Sequence, residues 1–304
     1  RQLALGAVGM CCQKVSEAEA MVDGGINDVL VSNEIVGASK LERLAALSRR
    51  AKIGVCVDNA ENVRAVAATG AKLDVYIEID VGMKRCGVAP GQAAVDLAKV
   101  ILGFKNLRFA GLQAYHGRAQ HIRSMEERHA VIELAAQHVG HTKKLLEKSG
   151  IACPIVTGAG SGTFMLEVEA GAWDEIQCGS YAFMDVDYAK NEWAAPLPRF
   201  EHALFVLSTV MSRPAPEVAI VDAGLKASSV DSGMPSVWQR DLRYTRASDE
   251  HGWVEGKNPP PLGEKLLLVP GHCDPTINLY DWYVCVRGGR VEALWPITAR
   301  GALA

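Results

Sequence analysis

The stretch "GHCD" (271–274) places three kinds of metal-ligating side chain in consecutive positions. If it is extended, residues two apart share a face, so His272 and Asp274 lie together and Cys273 points the other way. An imidazole with a carboxylate suits Mn²⁺, Mg²⁺ or Co²⁺ better than a thiolate-rich zinc site would. Two protein ligands leave positions for water and substrate, as in a catalytic site. The alternative is a capped turn before Pro275, in which Asp274 only accepts hydrogen bonds from the backbone.

A glycine-rich stretch, "TGAGSGTF" (157–164), has the composition of an anion-binding loop. Its glycines let backbone amides approach an anion closely, and Ser161 or Thr163 adds a hydroxyl where a predicted helix begins. The stretch lacks the lysine of a P-loop, so one phosphate monoester on a cofactor fits better than a nucleoside triphosphate. The alternative is a tight turn between strand and helix.

Two further stretches supply an aromatic ring, imidazoles and a cation. In "YHGRAQH" (115–121), Tyr115 could stack on a cofactor and His121 could transfer a proton. In "DVGMKRCG" (80–87), Arg85 follows a predicted strand. The alternatives are a hydrogen-bonded loop histidine and an ordinary surface arginine.

The elements that position these residues alternate regularly along the first part of the chain. Short β-branched runs predict seven strands at 7–12, 28–33, 52–58, 74–80, 108–116, 154–160 and 175–180. Amphipathic segments lie between them, for example 38–51 and 128–150, and Asn59 is placed to cap a third helix. This alternation predicts a parallel sheet covered by helices, with the polar residues at the carboxyl ends of the strands.

The strand count favours a (β/α)8-type barrel that lacks its first strand and helix. A doubly wound sheet is the alternative, but no GxGxxG turn follows the first predicted strand. After about residue 195, strands, turns and prolines replace the helices, and "RGGR" (287–290) predicts a hairpin turn. We therefore expect an α/β barrel over 1–195 and a mostly antiparallel β domain over 196–304.

Composition excludes several classes of protein. The 304 residues are 49% hydrophobic and 22% charged, which is typical of a soluble globular protein. A net charge of −3 gives no basic face for nucleic acid. The longest apolar runs are too short to cross a membrane, and no signal peptide is visible. The eight cysteines are scattered, which predicts reduced thiols and a cytoplasmic location.

The motifs together resemble those of a known enzyme family. They occur in collinear order along nearly the whole chain, as "GMCCQKVSEAEAMVDGGINDVLVSNE", "EIDVGMKRCGV", "LQAYHGRAQH", "TGAGSGTF", "EIQCGSYAFMDVDY", "VDAGLKASSVDSG", "VPGHCDPTINLYDWYVCVR" and "WPITARG". The chain resembles the D-threonine aldolase and 3-hydroxy-D-aspartate aldolase group of alanine-racemase-like enzymes, and most of all the latter aldolases. The resemblance implies a barrel that holds pyridoxal 5′-phosphate, a β domain, and a divalent metal (Mn, Mg or Co) beside the substrate.

The resemblance also implies roles for individual residues. The cofactor-binding residues would be Gln13, Tyr115, Ser161, Gly162, Gly179, Ser180 and Tyr181. Tyr181 would lie next to the phosphate and Tyr115 against the ring, with Arg85 near its phenolic side. His121 would be the catalytic base, and His272 and Asp274 would bind the metal.

The activity implied is cleavage of the Cα–Cβ bond of a D-3-hydroxy amino acid. For 3-hydroxy-D-aspartate the products are glycine and glyoxylate, and for D-threonine the aldehyde is acetaldehyde. The alternatives are a D-threonine aldolase, a D-3-hydroxyaspartate or D-serine dehydratase, a racemase, and a pyridoxal-phosphate carrier without activity. The related D-serine dehydratases use His-x-Cys, so Asp274 favours an aldolase. Relatives imply a homodimer. Arg118 or Arg123 could bind a second substrate carboxylate, and the alternative is that each is a solvated arginine of a loop.

One residue of the family pattern has no match. The family's Schiff-base lysine lies at the end of the first barrel strand, so we expect it upstream of this chain. Lys14, next to Gln13, matches a family residue that does not have this role.

Overall fold

The structure, a computed structural model, describes residues 1–193 and 199–304. The predicted domain boundary at 195/196 lies outside the described residues. Contacts divide the chain into two units. Unit 1 comprises Arg1–Ile122, Glu126–Cys178 and Gly301–Ala304, and unit 2 comprises Arg123–Met125 and Gly179–Arg300.

Unit 1 is a curled, seven-stranded parallel sheet, which forms half of a barrel. Its strands are β1 (Met10–Cys12), β2 (Asp28–Glu34), β3 (Lys52–Val57), β4 (Leu73–Glu78), β5 (Leu107–Ala114), β6 (Ile155–Gly158) and β7 (Glu175–Ile176). Each strand pairs with the next in sequence, from β1 to β7. A doubly wound sheet would reverse this order at a switch point, so the barrel-type prediction is confirmed.

Helices alternate with these strands as the sequence predicts. They are α1 (Val15–Asp23), α2 (Ala38–Leu47), α3 (Ala60–Ala68), α4 (Gln92–Leu102), α5 (Met125–Lys148) and α6 (Phe164–Ala170). The Asn59 side chain accepts a hydrogen bond from the Asn62 amide at 2.7 Å, so its predicted capping role is confirmed. The helix predicted to reach residue 51 ends at Leu47, where the Ser48 hydroxyl bonds to the carbonyl of Ala45.

Burial explains why the strands are apolar on both faces. All six residues of β4 are buried, including Glu78. Helices exclude water from the outer face of the curled sheet, and side chains packed inside the curl exclude it from the inner face. The polar residues that could do chemistry therefore lie just beyond the strand ends.

Unit 2 is built mainly from antiparallel strands. They are β8 (Val206–Ala215), β9 (Val218–Val221), β10 (Ser236–Val237), β11 (Arg243–Ala247), β12 (Gly252–Glu255), β13 (Lys265–Val269), β14 (Trp282–Arg287) and β15 (Arg290–Pro296). Strands β8 to β13 close into a barrel in the order β10-β11-β12-β9-β8-β13. Unit 2 also contains two short α-helices, α7 (Val186–Ala189) and α8 (Cys273–Ile277).

The hairpin β14–β15 confirms the prediction from "RGGR". Arg287 pairs with Arg290, and the two residues between them, Gly288 and Gly289, have φ of 55° and 75°. Positive φ at both positions is the requirement of a type I′ turn, which glycine meets without strain. Within the described residues, no helix is both long and apolar enough to cross a membrane.

Candidate active site

The predicted metal pair lies at the start of a helix, where an extended strand was expected. His272 is extended, but Cys273 to Ile277 form α8, so the predicted extended conformation is wrong beyond His272. Pro275 has a φ compatible with the first turn of a helix and needs no amide partner there. His272 Nε2 and Asp274 Oδ2 are nevertheless 4.0 Å apart. Two metal–ligand bonds of about 2.1 Å each span that separation, so one ion can contact both atoms.

The other edge of the His272 ring is held by Asp231, which the sequence reasoning missed. His272 Nδ1 lies 2.8 Å from Asp231 Oδ2 and 3.3 Å from the Ser232 hydroxyl. Burial alone would lower the pKa of His272, but the hydrogen bond and charge of Asp231 outweigh it, so the pKa is raised. Burial would likewise raise the pKa of Asp231, yet hydrogen bonds from Ser229, His272 and Ser232 lower it to about 2. Asp231 is therefore a carboxylate at neutral pH.

Helix α8 is fixed by a second buried carboxylate, Asp185. One of its oxygens accepts a hydrogen bond from the Cys273 amide at 2.9 Å, and the other caps α7 through the Tyr188 amide at 2.9 Å. Asp185 and Cys273 are both fully buried. Burial raises the pKa of the Cys273 thiol, and its side chain bonds to Asp274 and Ser180. The thiol therefore stays protonated, and it packs against Asp274 and Ser180.

The segment that contains Ser180 was predicted to bind the cofactor, with Tyr181 next to its phosphate. Ser180 to Ala182 form a 3₁₀ turn, and the Tyr181 ring lies 5.5 Å from the ring of Phe200. Gly179 is exposed, and a Cβ placed on it would meet no atom within 4 Å. The Ser180 contact with Cys273 links this segment to the metal pair within unit 2.

In unit 1, the glycine-rich loop is held by a buried network. The Gly162 amide donates to Gln120 Oε1 at 2.9 Å, and Gln120 Nε2 donates to the Thr163 hydroxyl at 2.7 Å. That hydroxyl donates to Glu167 Oε2 at 2.8 Å. The Gly162 amide therefore points into the protein, whereas Ser161, 3% exposed, follows the glycine-rich turn of β6.

Burial gives Glu167 an unusual titration. It is fully buried, and in the described part of the chain its Oε1 has no hydrogen-bond partner. Burial raises its pKa to about 7, although the hydrogen bond from Thr163 opposes the shift. An acid with one unpaired buried oxygen is most stable in its neutral form.

The structure brings Arg85 and Tyr115 together. The Arg85 guanidinium carbon is 5.8 Å from the centre of the Tyr115 ring. Asp80 orders the loop that carries Arg85 by accepting hydrogen bonds from the amides of Gly82 and Lys84, each at 2.9 Å. The ring offers a face on which a flat aromatic group can stack, and the guanidinium can bind an anionic oxygen of such a group.

The two histidines near Tyr115 have different environments. His116 is buried, accepts a hydrogen bond from the Ala119 amide at 3.3 Å, and has its pKa lowered by burial. His121 is exposed at the end of the 3₁₀ turn Gly117–His121. Of the two, His121 is the one accessible to a substrate.

Gln13 occupies the predicted position after β1. Its side chain donates to the Ser32 hydroxyl at 3.0 Å, and its carbonyl accepts from the Asn33 side chain at 3.2 Å. Gln13 is exposed, so this contact with β2 orients it without burying it.

Comparison with known families gives two matches that together span most of the chain. Residues 1–187 match the family described as "Alanine racemase, N-terminal domain". Residues 203–286 match the family described as "Putative serine dehydratase domain".

Individual relatives extend over nearly the full chain. D-threonine aldolase of Arthrobacter sp. is 50% identical over 99% of this chain and 81% of its own length. The 3-hydroxy-D-aspartate aldolase of Paracoccus denitrificans (strain Pd 1222) is 48% identical over 97% of this chain and 79% of its own length.

The chain belongs to the D-threonine aldolase and 3-hydroxy-D-aspartate aldolase family. The aldolases of this family are carbon–carbon lyases, and this chain is an enzyme of that class. The chain is almost equally similar to the D-threonine aldolase, at 50% identity, and to the 3-hydroxy-D-aspartate aldolase, at 48%.

Solved structures agree with this membership of the aldolase family. D-threonine aldolase from Filomicrobium marinum superposes with a TM-score of 0.96 at 50% identity, covering 100% of this chain and 84% of its own. D-threo-3-hydroxyaspartate dehydratase from Delftia sp. HT23 superposes with a TM-score of 0.87 at 26% identity, covering 97% of this chain and 85% of its own. Variants of that dehydratase replace a histidine, or a cysteine two positions later, and the cysteine variant is described as metal-free.

One further cluster in the aldolase chain was not found from sequence. Ligand atoms of Glu34, Asp58 and Cys86 lie within 4.8 Å of one another. Burial, and then the charge of Glu34, raises the pKa of nearby Glu78 to about 8, while the charge of Arg85 opposes the shift. These acids lie on different strands and loops, and they share no spacing that sequence could show.

Proposed function

We propose that this chain is a pyridoxal-phosphate- and divalent-metal-dependent aldolase for D-3-hydroxy amino acids. The preferred substrate in this proposal is 3-hydroxy-D-aspartate, which is cleaved at Cα–Cβ to glycine and glyoxylate. The observation that carries the proposal is the 4.0 Å separation of His272 Nε2 and Asp274 Oδ2.

The donor set of unit 2 fits a hard divalent ion. In the described residues, Nε2 of His272 makes no hydrogen bond, because Asp231 and Ser232 engage only the Nδ1 edge. Asp274 has an exposed side chain that can turn towards an ion. One imidazole and one carboxylate match Mn²⁺, Mg²⁺ or Co²⁺.

The polar residues of unit 1 fit a flat phosphorylated ring. We assign Tyr115 to one face of the pyridoxal ring and Arg85 to its phenolic oxygen, supported by the 5.8 Å contact between them. Ser161 and Gly162 are assigned to the phosphate from the glycine-rich loop, and Gln13 to the cofactor from β1.

Gly179, Ser180 and Tyr181 are also assigned to the cofactor, with Tyr181 next to its phosphate. In this assignment Gly162 only lets the phosphate approach the loop closely, because its amide already donates a hydrogen bond to Gln120. The hydroxyl donors in this assignment are Ser161 and Tyr181, because the Ser180 side chain bonds to Cys273.

The chemistry divides between the bound groups and the side chains. When bound, the cofactor supplies an electron sink for the cleaved bond, and the ion supplies positive charge at the substrate's 3-hydroxyl. His121 accepts the proton of that hydroxyl at an imidazole nitrogen, which its exposure permits. Arg85 balances the negative charge that develops near the ring.

Substrate choice is assigned to Arg118. Arg123 was an equal candidate, but it is paired with Asp187 and donates to Asn191 at 2.6 Å. Arg118 is exposed and lies close enough to His116 to affect its pKa. A guanidinium near the proposed base can bind the second carboxylate of 3-hydroxy-D-aspartate, which D-threonine lacks.

The second candidate function is dehydration, favoured by the 26% identity to a hydroxyaspartate dehydratase. A dehydratase releases ammonia and a keto acid from the same substrate, whereas the aldolase releases glycine and glyoxylate. Asp274 supports the aldolase, because a hard carboxylate keeps a hard metal on the substrate hydroxyl.

The products decide between the two functions. The full-length protein, supplied with pyridoxal phosphate and Mn²⁺, is incubated with 3-hydroxy-D-aspartate, and glycine and ammonia are quantified. Glycine in equal amount to glyoxylate, with no ammonia, is the expected result. Ammonia with oxaloacetate would replace the proposal by the dehydratase.

We also propose a homodimer in a reducing, cytoplasmic compartment. All eight cysteines are free, which supports the compartment. Light scattering that gives a single-chain mass at micromolar concentration would remove the dimer from the proposal.

A further inference from the structure

We infer that Asp231 is a positioning residue that fixes the His272 ring so that Nε2 faces the metal. This inference rests on the proposed metal pair and deepens it. The decisive contact is the 2.8 Å hydrogen bond between Asp231 Oδ2 and His272 Nδ1.

The hydrogen bond selects one form of the imidazole. A carboxylate only accepts hydrogen bonds, so Nδ1 of His272 must carry the proton opposite Asp231. Nε2 is then the nitrogen with a free lone pair, on the side of the ring nearest Asp274. Without Asp231, the ring is free to adopt the other tautomer or to rotate about its side-chain bonds.

Asp231 is itself held in place by its neighbours. The Ser229 hydroxyl donates to Oδ1 at 2.6 Å and the Ser232 hydroxyl donates to Oδ2 at 2.9 Å. Two of the three hydrogen-bond partners of the carboxylate, Ser229 and Ser232, therefore hold it in place beside the His272 ring.

The loop that carries Asp231 is tied to the helix that carries Asp274. The Ser229 amide donates to the Thr276 hydroxyl at 3.1 Å, and that hydroxyl donates to the His272 carbonyl at 2.8 Å. Thr276 is 2% exposed. Backbone and side chain of His272 are thus fixed by the same loop.

Asp231 acts through the ring and not as a ligand. Its Oδ2 lies against Nδ1, whereas Asp274 is near Nε2 at the opposite edge. An ion bound by Nε2 and Asp274 therefore lies on the far side of the imidazole from Asp231.

Two measurements on metal-stripped, full-length protein test this role. The first is Mn²⁺ affinity by titration calorimetry for wild type, Asp231→Ala and Asp231→Asn. Losing such a partner costs about 10- to 100-fold in metal affinity, so we expect that loss for alanine and a smaller one for asparagine, which keeps an acceptor oxygen. Asp241→Ala removes the same charge from an exposed turn of unit 2 and should bind Mn²⁺ like wild type.

The second measurement is the tautomer of His272 by ¹⁵N NMR with labelled histidine, assigned by comparison with His272→Ala. Wild type and Asp231→Asn should carry the proton on Nδ1, and Asp231→Ala should shift it towards Nε2. A purely structural role would leave this tautomer unchanged in a folded variant. Wild-type affinity and an unchanged tautomer in Asp231→Ala would overturn the inference.

The design separates this inference from the proposed function. If His272→Ala binds Mn²⁺ as tightly as wild type, the proposed metal pair is wrong. If His272→Ala loses the ion while Asp231→Ala keeps full affinity, the metal pair stands and Asp231 does not position it.

Discussion

Two arginines close in sequence have different surroundings, and this difference has a consequence for specificity. Arg123 is held by Asp187 and Asn191, whereas Arg118 is exposed. Only an arginine that is not already paired can bind a substrate carboxylate without first breaking an ion pair.

Replacing Arg118 with alanine should therefore change substrate preference. We expect kcat/KM for 3-hydroxy-D-aspartate to fall about tenfold or more, since one exposed charge-assisted hydrogen bond is lost, with little change for D-threonine. Steady-state kinetics on both substrates measure this. Arg64→Ala, an exposed arginine of α3, is the control and should leave both values unchanged. An equal loss of kcat/KM for the two substrates would show that Arg118 does not bind the second carboxylate.

Glu167 predicts a dependence of stability on pH. Its pKa is raised from 4.5 to about 7, so the folded protein binds a proton that the unfolded chain has released. The stability that it contributes is complete below about pH 4.5 and is lost as the pH rises through about 7.

Glu167→Gln should keep that stability at high pH, because glutamine stays neutral. The unfolding free energy of the variant relative to wild type should rise by on the order of 1–3 kcal/mol from pH 5 to pH 8. Urea unfolding at four pH values measures it, with exposed Glu169→Gln on the same helix as control. A constant difference across this range would mean that Glu167 is already ionised in the folded protein.

At the scale of elements, one carboxylate joins two short helices. One Asp185 oxygen caps α7, and the other accepts a hydrogen bond from the first amide of α8. Short helices have few internal hydrogen bonds, so such a contact decides where they begin.

Removing Asp185 should affect stability and metal binding together. Asp185→Ala loses a cap and leaves a buried amide unpaired, at a cost of about 2–4 kcal/mol. Mn²⁺ affinity should also fall, because α8 carries Asp274. Asn59→Ala removes a cap in unit 1, and we expect a loss of about 1 kcal/mol with unchanged Mn²⁺ affinity. Normal Mn²⁺ binding by Asp185→Ala would show that α8 is held by other contacts.

The elements differ in how far sequence could predict them. Strands such as β4 are largely apolar because both of their faces are buried, so their sequence alone reveals them. The conformation of 272–277 could not be predicted in this way, because α8 depends on a buried acid 88 positions earlier in the chain. Side-chain alternation therefore identified His272 and Asp274 as neighbours, although the described structure has a helix, and no strand, at these residues.

The residues that support the site could not be predicted from the sequence, for the same reason. Asp231 is 41 positions from His272, and Gln120 is 42 positions from Gly162. Neither pair has a characteristic spacing, since only the fold brings the partners together. Sequence motifs identified the residues that would touch substrate or cofactor. The residues that hold these side chains in place are seen only in the structure.

At the scale of the whole molecule, the proposed reaction has two sets of residues. Arg85, Tyr115 and His121 are assigned to the cofactor and to proton transfer, and His272 and Asp274 are assigned to the metal. The same residue set without a metal pair would serve a racemase or a simple carrier of pyridoxal phosphate. Metal-dependent cleavage is therefore the property that separates the proposal from its alternatives.

Glycine release before and after chelation tests this property most directly. The full-length protein is assayed with 3-hydroxy-D-aspartate, then treated with EDTA, and then resupplied with Mn²⁺, with His272→Ala and Asp274→Ala alongside. We expect glycine and glyoxylate in equal amounts, loss of at least 90% of the rate on chelation, roughly as for removal of a Lewis acid worth several kcal/mol, and recovery with Mn²⁺ only in wild type. Glycine release that persists at the full rate in EDTA, or in both variants, would contradict the account.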